Sequence, residues 1–303
     1  MYKHLLVPLD GSNLAETALP TAFFLARKLD SKITLLHVVE RRAPDEIHGD
    51  RHLTATEEAR RYLKDLSGRD DSRDLRIDIH IEAEEPSGVA RSIVDFATAA
   101  SSDLIVMCTH GRSGLRHLLL GSNAQQIIAL GRVPVLQVRP AEHGGAGIAC
   151  RNTLVPLDCQ PEHEAGLSAA KELARVCEST VHLLVVVPTL RTLRGERAAA
   201  ALLSPAAASA ALDMSIRGAQ EYLDHLLAGL HGDGYAASAE IQRGDPARAI
   251  ERVAKRIGAG LIVVGTHRRA GTDAFWTGSV APMVSNRSHV PVLLIPLGEK
   301  PAG

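Results

Sequence analysis

No run of apolar residues in this chain reaches the ~18 needed for a membrane span, and the N-terminal Met-Tyr-Lys-His-Leu-Leu-Val-Pro-Leu-Asp carries no signal-peptide pattern. The four cysteines (Cys108, Cys150, Cys159 and Cys177) have neither metal-binding nor redox spacing, and they read as reduced thiols. Together these absences predict a cytoplasmic protein. The formal net charge is −1, which gives no electrostatic reason to expect nucleic acid or an anionic membrane as partner. The glycine fingerprint of nicotinamide dehydrogenases is missing: Leu9-Asp-Gly-Ser-Asn13 stands after the first strand pattern. A Walker A motif is missing too, as are a convincing nucleophile–base pair and a strong metal-ligand set.

What is present is a duplication. The 303 residues, 45% apolar and 23% charged, suit two globular domains of roughly 150 residues each. Leu5–Asp10 matches Thr153–Asp158, and Thr34–Val39 matches His182–Val187, both 148 positions apart. Glu85-Pro86 matches Asp245-Pro246 at 160. Thr109-His110, Gly121-Ser122 and Val133–Leu136 match Thr266-His267, Gly278-Ser279 and Val290–Leu293 at 157. The second copy therefore carries an insertion before Asp245 and a shorter turn before Leu261. The expected division is 1–140, a glycine-bearing linker over 141–151, and 152–297.

Each copy alternates strand and helix. Strands are predicted near 3–9, 33–39, 75–82, 104–109 and 134–138, and again near 152–157, 181–187, 235–242, 261–266 and 291–295. This alternation implies α/β domains with doubly wound parallel sheets. The first helix follows a cap at Ser12 or Asn13, and Pro20 predicts a kink or a distorted first part. A second helix falls near 53–67, and a third starts at Pro86. In the second copy a long alanine-rich helical region, 195–231, is expected to divide at Ser204-Pro205.

The most informative stretch is Cys108–Ser122. A buried strand ends in a glycine-containing loop, and Gly121-Ser122 opens a helix. Glycine lets backbone N–H groups approach an anion, and a helix N-terminus supplies donors and positive dipole. Gly265–Ser279 repeats the arrangement. Ligands of such sheets bind beyond the carboxyl ends of the strands, where Asp10 and Asp158 also fall. Each aspartate can serve a ribose or base, or simply start a turn.

These residues resemble the universal stress protein family, whose nucleotide-binding members carry Gly-x2-Gly-x9-Gly-Ser/Thr after the fourth strand and an Asp after the first. The first copy reads Cys108-x2-Gly111-x9-Gly121-Ser122 with Asp10. The second reads Gly265-x2-Arg268-x9-Gly278-Ser279 with Asp158. The resemblance implies two five-stranded sheets of order 3-2-1-4-5 packed as a pseudo-dimer, with the last strands pairing antiparallel. It implies ATP as ligand, with magnesium as an accompanying ion. Pro8, Val38, Met107 and Asn123 would complete the first site; Pro156, Val186, Val264 and Val280 would complete the second. Each copy has lost one glycine. Cys108 adds a small side chain. Arg268 either fills the phosphate site or pairs with the phosphates. The expectation is stronger binding in the N-terminal copy.

Other residues carry alternatives. His110 and His267 either cap turns or touch phosphate. Arg112, Arg116 and His117 make the first loop basic, whereas Asp273, Phe275 and Trp276 occupy the second. Cys108 is a packed or a redox-sensing thiol. His48, Asp50 and His52 are weak metal candidates. The functional expectation is an ATP-binding regulatory module acting in stress, with pairing of the two repeats within one chain and homodimer formation between chains. The competing readings are a scaffold with vestigial loops and a slow ATP hydrolase.

Overall fold

The computed structural model describes residues 2–40, 46–47, 49–83, 88–108, 122–139, 150–193, 195–267 and 280–297. Two compact units result. One comprises Met1–Ile148 with Thr266–Gly278 and His289–Gly303; the other comprises Ala149–Gly265 with Ser279–Ser288.

Along the first repeat run β1 (His4–Pro8), α1 (Asn13–Glu16), α2 (Leu19–Leu29), β2 (Lys32–Val39), β3 (Glu46–Ile47), β4 (Asp50–Arg51), α3 (Thr56–Ser67), β5 (Arg76–Ala83), α4 (Val89–Ala99), β6 (Leu104–Cys108), α5 (Ser122–Leu130) and β7 (Val135–Val138). Along the second run β8 (Asn152–Leu157), α6 (Ala165–Cys177), β9 (Thr180–Val187), α7 (Gly195–Leu203), α8 (Pro205–Gly232), β10 (Ala237–Arg243), α9 (Pro246–Ile257), β11 (Leu261–His267), a last helix Val280–Arg287 and β12 (Val292–Leu297).

In the first unit the strands lie in the order β5-β2-β1-β6-β7, all parallel. β12 joins this unit antiparallel to β7, with Leu293 opposite Leu136. Those two leucines are repeat equivalents, 157 positions apart. In the second unit the order is β10-β9-β8-β11, again parallel. Leu5, Leu6, Val7, Ile33, Leu35, Leu36, Leu104, Ile105 and Val106 are fully buried. A parallel sheet covered on both faces demands such continuous apolar runs.

The helix breaks follow from local chemistry. Ser12 caps α1 by accepting the Ala15 N–H at 3.1 Å. Pro20 cannot donate, so the helix stops after one turn and restarts with the proline in the first turn of α2, where no donor is missed. Ser204-Pro205 separates α7 from α8 in the same way. α4 starts at Val89, after Gly88 with φ 96°, and Pro86 lies outside the described residues. None of the four cysteines forms a disulfide.

One cross-strand hydrogen bond is conserved in place while its partners exchange strands. In the first unit His4 Nε2 meets Thr34 Oγ1 at 2.7 Å. In the second, His182 occupies the position of Thr34 and meets Asn152 Oδ1 at 3.2 Å. Burial pushes both imidazoles below the ordinary 6.5, with Lys32 adding to it at His4 and Arg256 at His182. The unfolded chain then binds protons more readily, so this stabilisation is complete above pH 6.5 and is lost as pH falls through the lowered values. Thermal midpoints measured from pH 7.5 down to 5.5 should fall, and the His4→Gln, His182→Gln double variant should flatten that slope.

Candidate functional site

The register sets Leu6 of β1 beside Ile105 of β6. Carried two residues on, it brings Pro8 to Met107 at the carboxyl edge of the sheet. Pro8 is level with Leu36 of β2, so Val38, 6% exposed, stands level with Asp10. Met107 is buried, Cys108 half-buried, and Ser122 opens α5 with Asn123 exposed beside it. Thus Pro8, Asp10, Val38, Met107 and Cys108 gather at one edge. Gly111 and Gly121 lie outside the described residues, as do His110, Arg112, Arg116 and His117.

Asp10 orders its own turn. Its Oδ1 accepts the Ser12 N–H at 2.9 Å and the Ser12 hydroxyl at 2.6 Å. Gly11 between them has φ 90°, and a Cβ there would lie 2.7 Å from Leu53 Cγ. Leu53 belongs to a strap formed by the β3–β4 hairpin and the residues after it, which the sequence did not suggest. Asp50 fastens the strap by accepting the Asn13 N–H at 2.8 Å and its side-chain amide at 3.0 Å. His37, fully buried, joins the layers: Nδ1 is 2.8 Å from Leu9 O and Nε2 is 3.2 Å from Leu53 O. His52 is buried 3.6 Å from Glu40. Asp50 and His52 are therefore structural residues of the strap, and His48 lies outside the described residues. Among the described residues no group of three His, Cys, Asp or Glu side chains could hold a metal.

The second repeat repeats the edge with different detail. Pro156 pairs with Leu184 and Val186 with Gln242, while Ile262 of β11 stands beside Leu154. That register brings Val264 and Gly265 to Pro156. Val280 begins the last helix. Arg268, Gly278 and Ser279 lie outside the described residues, with Asp273, Phe275 and Trp276; His267 closes β11. Asp158 Oδ1 accepts the Gln160 N–H at 3.2 Å, and Oδ2 receives the His163 Nδ1–H at 2.7 Å. Cys159 takes the left-handed φ of 62°. Burial and then Asp158 raise its thiol above the ordinary range.

Both repeats also bring a glutamate and a tyrosine to this edge, and the sequence reading missed them. Tyr222 donates to Glu164 Oε1 at 2.9 Å. Tyr62 faces Glu16, which Arg69 holds at 2.8 Å. Burial pushes both phenols strongly upward. At Tyr62 the carboxylates of Glu16 and Asp10 add to the shift; at Tyr222 the bond to Glu164 does, with Cys159 and Asp158 behind it. Both phenols therefore remain protonated, and Tyr222 donates its proton to the bond with Glu164. Glu16 and Glu164 are 148 apart, Tyr62 and Tyr222 are 160 apart. These are the offsets of the flanking repeats, so extending those offsets to polar residues would have found the pair.

The sequence profile of the universal stress protein family matches residues 1–139 and 150–296. The chain belongs to that family, with its domain present twice. A universal stress protein of Methanocaldococcus jannaschii is 34% identical over 147 residues, which is 46% of this chain and 83% of the relative. One of Bacillus subtilis is 26% identical over 155 residues, 46% of this chain and all of the relative. Among solved structures, a universal stress protein from Archaeoglobus fulgidus matches 98% of this chain and 100% of its own at TM-score 0.72 and 20% identity. A second, from Pseudomonas aeruginosa, matches 98% and 94% at TM-score 0.66 and 19% identity. These likenesses share the α/β fold. Among the described residues no helix is long and apolar enough to cross a membrane.

Proposed function

We propose that the chain binds ATP, with magnesium accompanying the phosphates, and does so better in its N-terminal repeat. The observation that carries the reading is the meeting of β1 and β6 at one edge, which gathers Asp10, Pro8, Val38, Met107 and Cys108 where α5 begins. The residues present suit the ligand. Val38 and Met107 offer apolar surface to adenine, the Asp10 carboxylate accepts from ribose hydroxyls, and the start of α5 presents backbone donors to phosphate. Gly111, Gly121 and Ser122 in the first repeat, and Gly265, Arg268, Gly278 and Ser279 in the second, belong to the proposed phosphate side. The preference for the first repeat is supported by Arg268, which stands in a glycine position of the second.

The protein acts, on this reading, as a cytoplasmic regulatory module whose nucleotide state sets its partners. Its two domains, 1–140 and 152–297, associate within the chain, and whole chains pair as homodimers. Mass spectrometry of untreated purified protein tests the ligand: adenine nucleotide at near-stoichiometric amount supports the reading. Its absence, with no ATP binding by calorimetry, sinks it.

A further inference from the structure

β7 is the strand beside β6, and its side chains carry a feature that the ligand contacts above leave unexplained. The register sets Gln137 opposite Met107 and Val138 opposite Cys108. Residues paired in this way project to one face, so Gln137 shares the face of Met107, and Arg139, two positions on, follows it. The same face can be traced back through Ile105 and Leu6 to His4. The His4 ring bonds Ala100 O, the end of α4, at 3.1 Å. α4 packs on α5. Gln137 thus lies on the face covered by α4 and α5, and α5 begins at the carboxyl edge where phosphate is expected.

Gln137 is 3% exposed, and among the described residues neither its amide oxygen nor its amide nitrogen has a hydrogen-bond partner. Native proteins rarely keep a buried amide in that state unless something outside the chain completes it. Arg139 is half-buried. Burial lowers its pKa and the neighbouring Cys108 opposes that shift, yet a guanidinium stays charged at any physiological pH. In the second repeat, 157 positions on, stand Leu294 and Pro296. Leu294 is buried and asks for no partner; Pro296 carries no charge. The amide and the guanidinium therefore occur only in the repeat that keeps both Gly111 and Gly121.

We propose that Gln137 and Arg139 form a further wall of the N-terminal nucleotide site, donating to phosphate oxygens and selecting polyphosphate over nucleoside. This inference rests on the ATP reading above. Calorimetry on the full chain with ATP, AMP and adenosine tests it, using Gln137→Leu, the residue of the second repeat, and Arg139→Met. Each variant should weaken ATP about tenfold, as expected for losing a hydrogen bond to a charged group, weaken AMP less, and leave adenosine unchanged. Gln137→Leu should also raise the thermal midpoint, because an unpaired amide is removed. The proposal is overturned if ATP affinity is unchanged in both variants, or if ATP and adenosine weaken equally. Wild-type protein that binds none of the three ligands refutes the ATP reading itself; wild-type binding with indifferent variants refutes only the role of β7.

Discussion

Asp10→Ala should lower the ATP affinity of the N-terminal repeat by about one to two orders of magnitude. A hydrogen bond to a charged group contributes about 1.5–3 kcal/mol, and each 1.4 kcal/mol is roughly a factor of ten. The same change releases the Ser12 N–H and hydroxyl, which both bond Asp10 Oδ1, and so loosens the cap of α1 at a cost of about 1 kcal/mol. Asp10→Asn separates the two effects. It keeps an oxygen for the Ser12 turn but removes the charge, so its stability should stay near wild type while its affinity falls. Asp158→Ala should leave the tighter binding event intact. Calorimetry on the full chain reads all three, and undiminished ATP binding by Asp10→Ala would falsify the assignment of this edge.

The second large effect is expected at Gly11. Alanine there meets two separate penalties. The φ of 90° is unfavourable for any residue with a Cβ, at about 1–2 kcal/mol. The new methyl would also lie 2.7 Å from Leu53 Cγ and 2.8 Å from Cδ1, so the strap must move. A total loss of about 3 kcal/mol follows, which denaturant unfolding would register clearly. Leu53→Ala removes the collision but not the backbone strain. The double variant should therefore be less destabilised than the two single losses summed, by about 1 kcal/mol. Simple additivity would mean that the strap does not press on the Asp10 turn.

The sheet was legible because parallel strands buried on both faces leave apolar runs, and because duplication showed each run twice. The division at Pro205 was legible, and at Pro20 a disturbance was, though as a kink rather than the full break between α1 and α2; in both a missing N–H acts locally. The strap was not. Its strands are two residues long, and its position depends on Asp50 reaching Asn13 and His37 spanning Leu9 and Leu53, contacts with no sequence periodicity. The Glu16–Tyr62 and Glu164–Tyr222 pairs were hidden for a similar reason, since single polar residues make no pattern within one copy. Gln137 sits inside Val135–Val138, where the apolar neighbours conceal that its amide is buried; comparison with Leu294 makes it visible.

The leucine-to-leucine register of β7 and β12 has a topological consequence. Because Leu136 faces its own counterpart, the strand pair has a local dyad, and β7 could accept another copy of itself as readily as it accepts β12. An N-terminal fragment ending at residue 139 would forfeit its antiparallel neighbour and expose a bare backbone ladder. Such a fragment should self-associate through β7, restoring between two molecules the seam that the intact polypeptide closes within one.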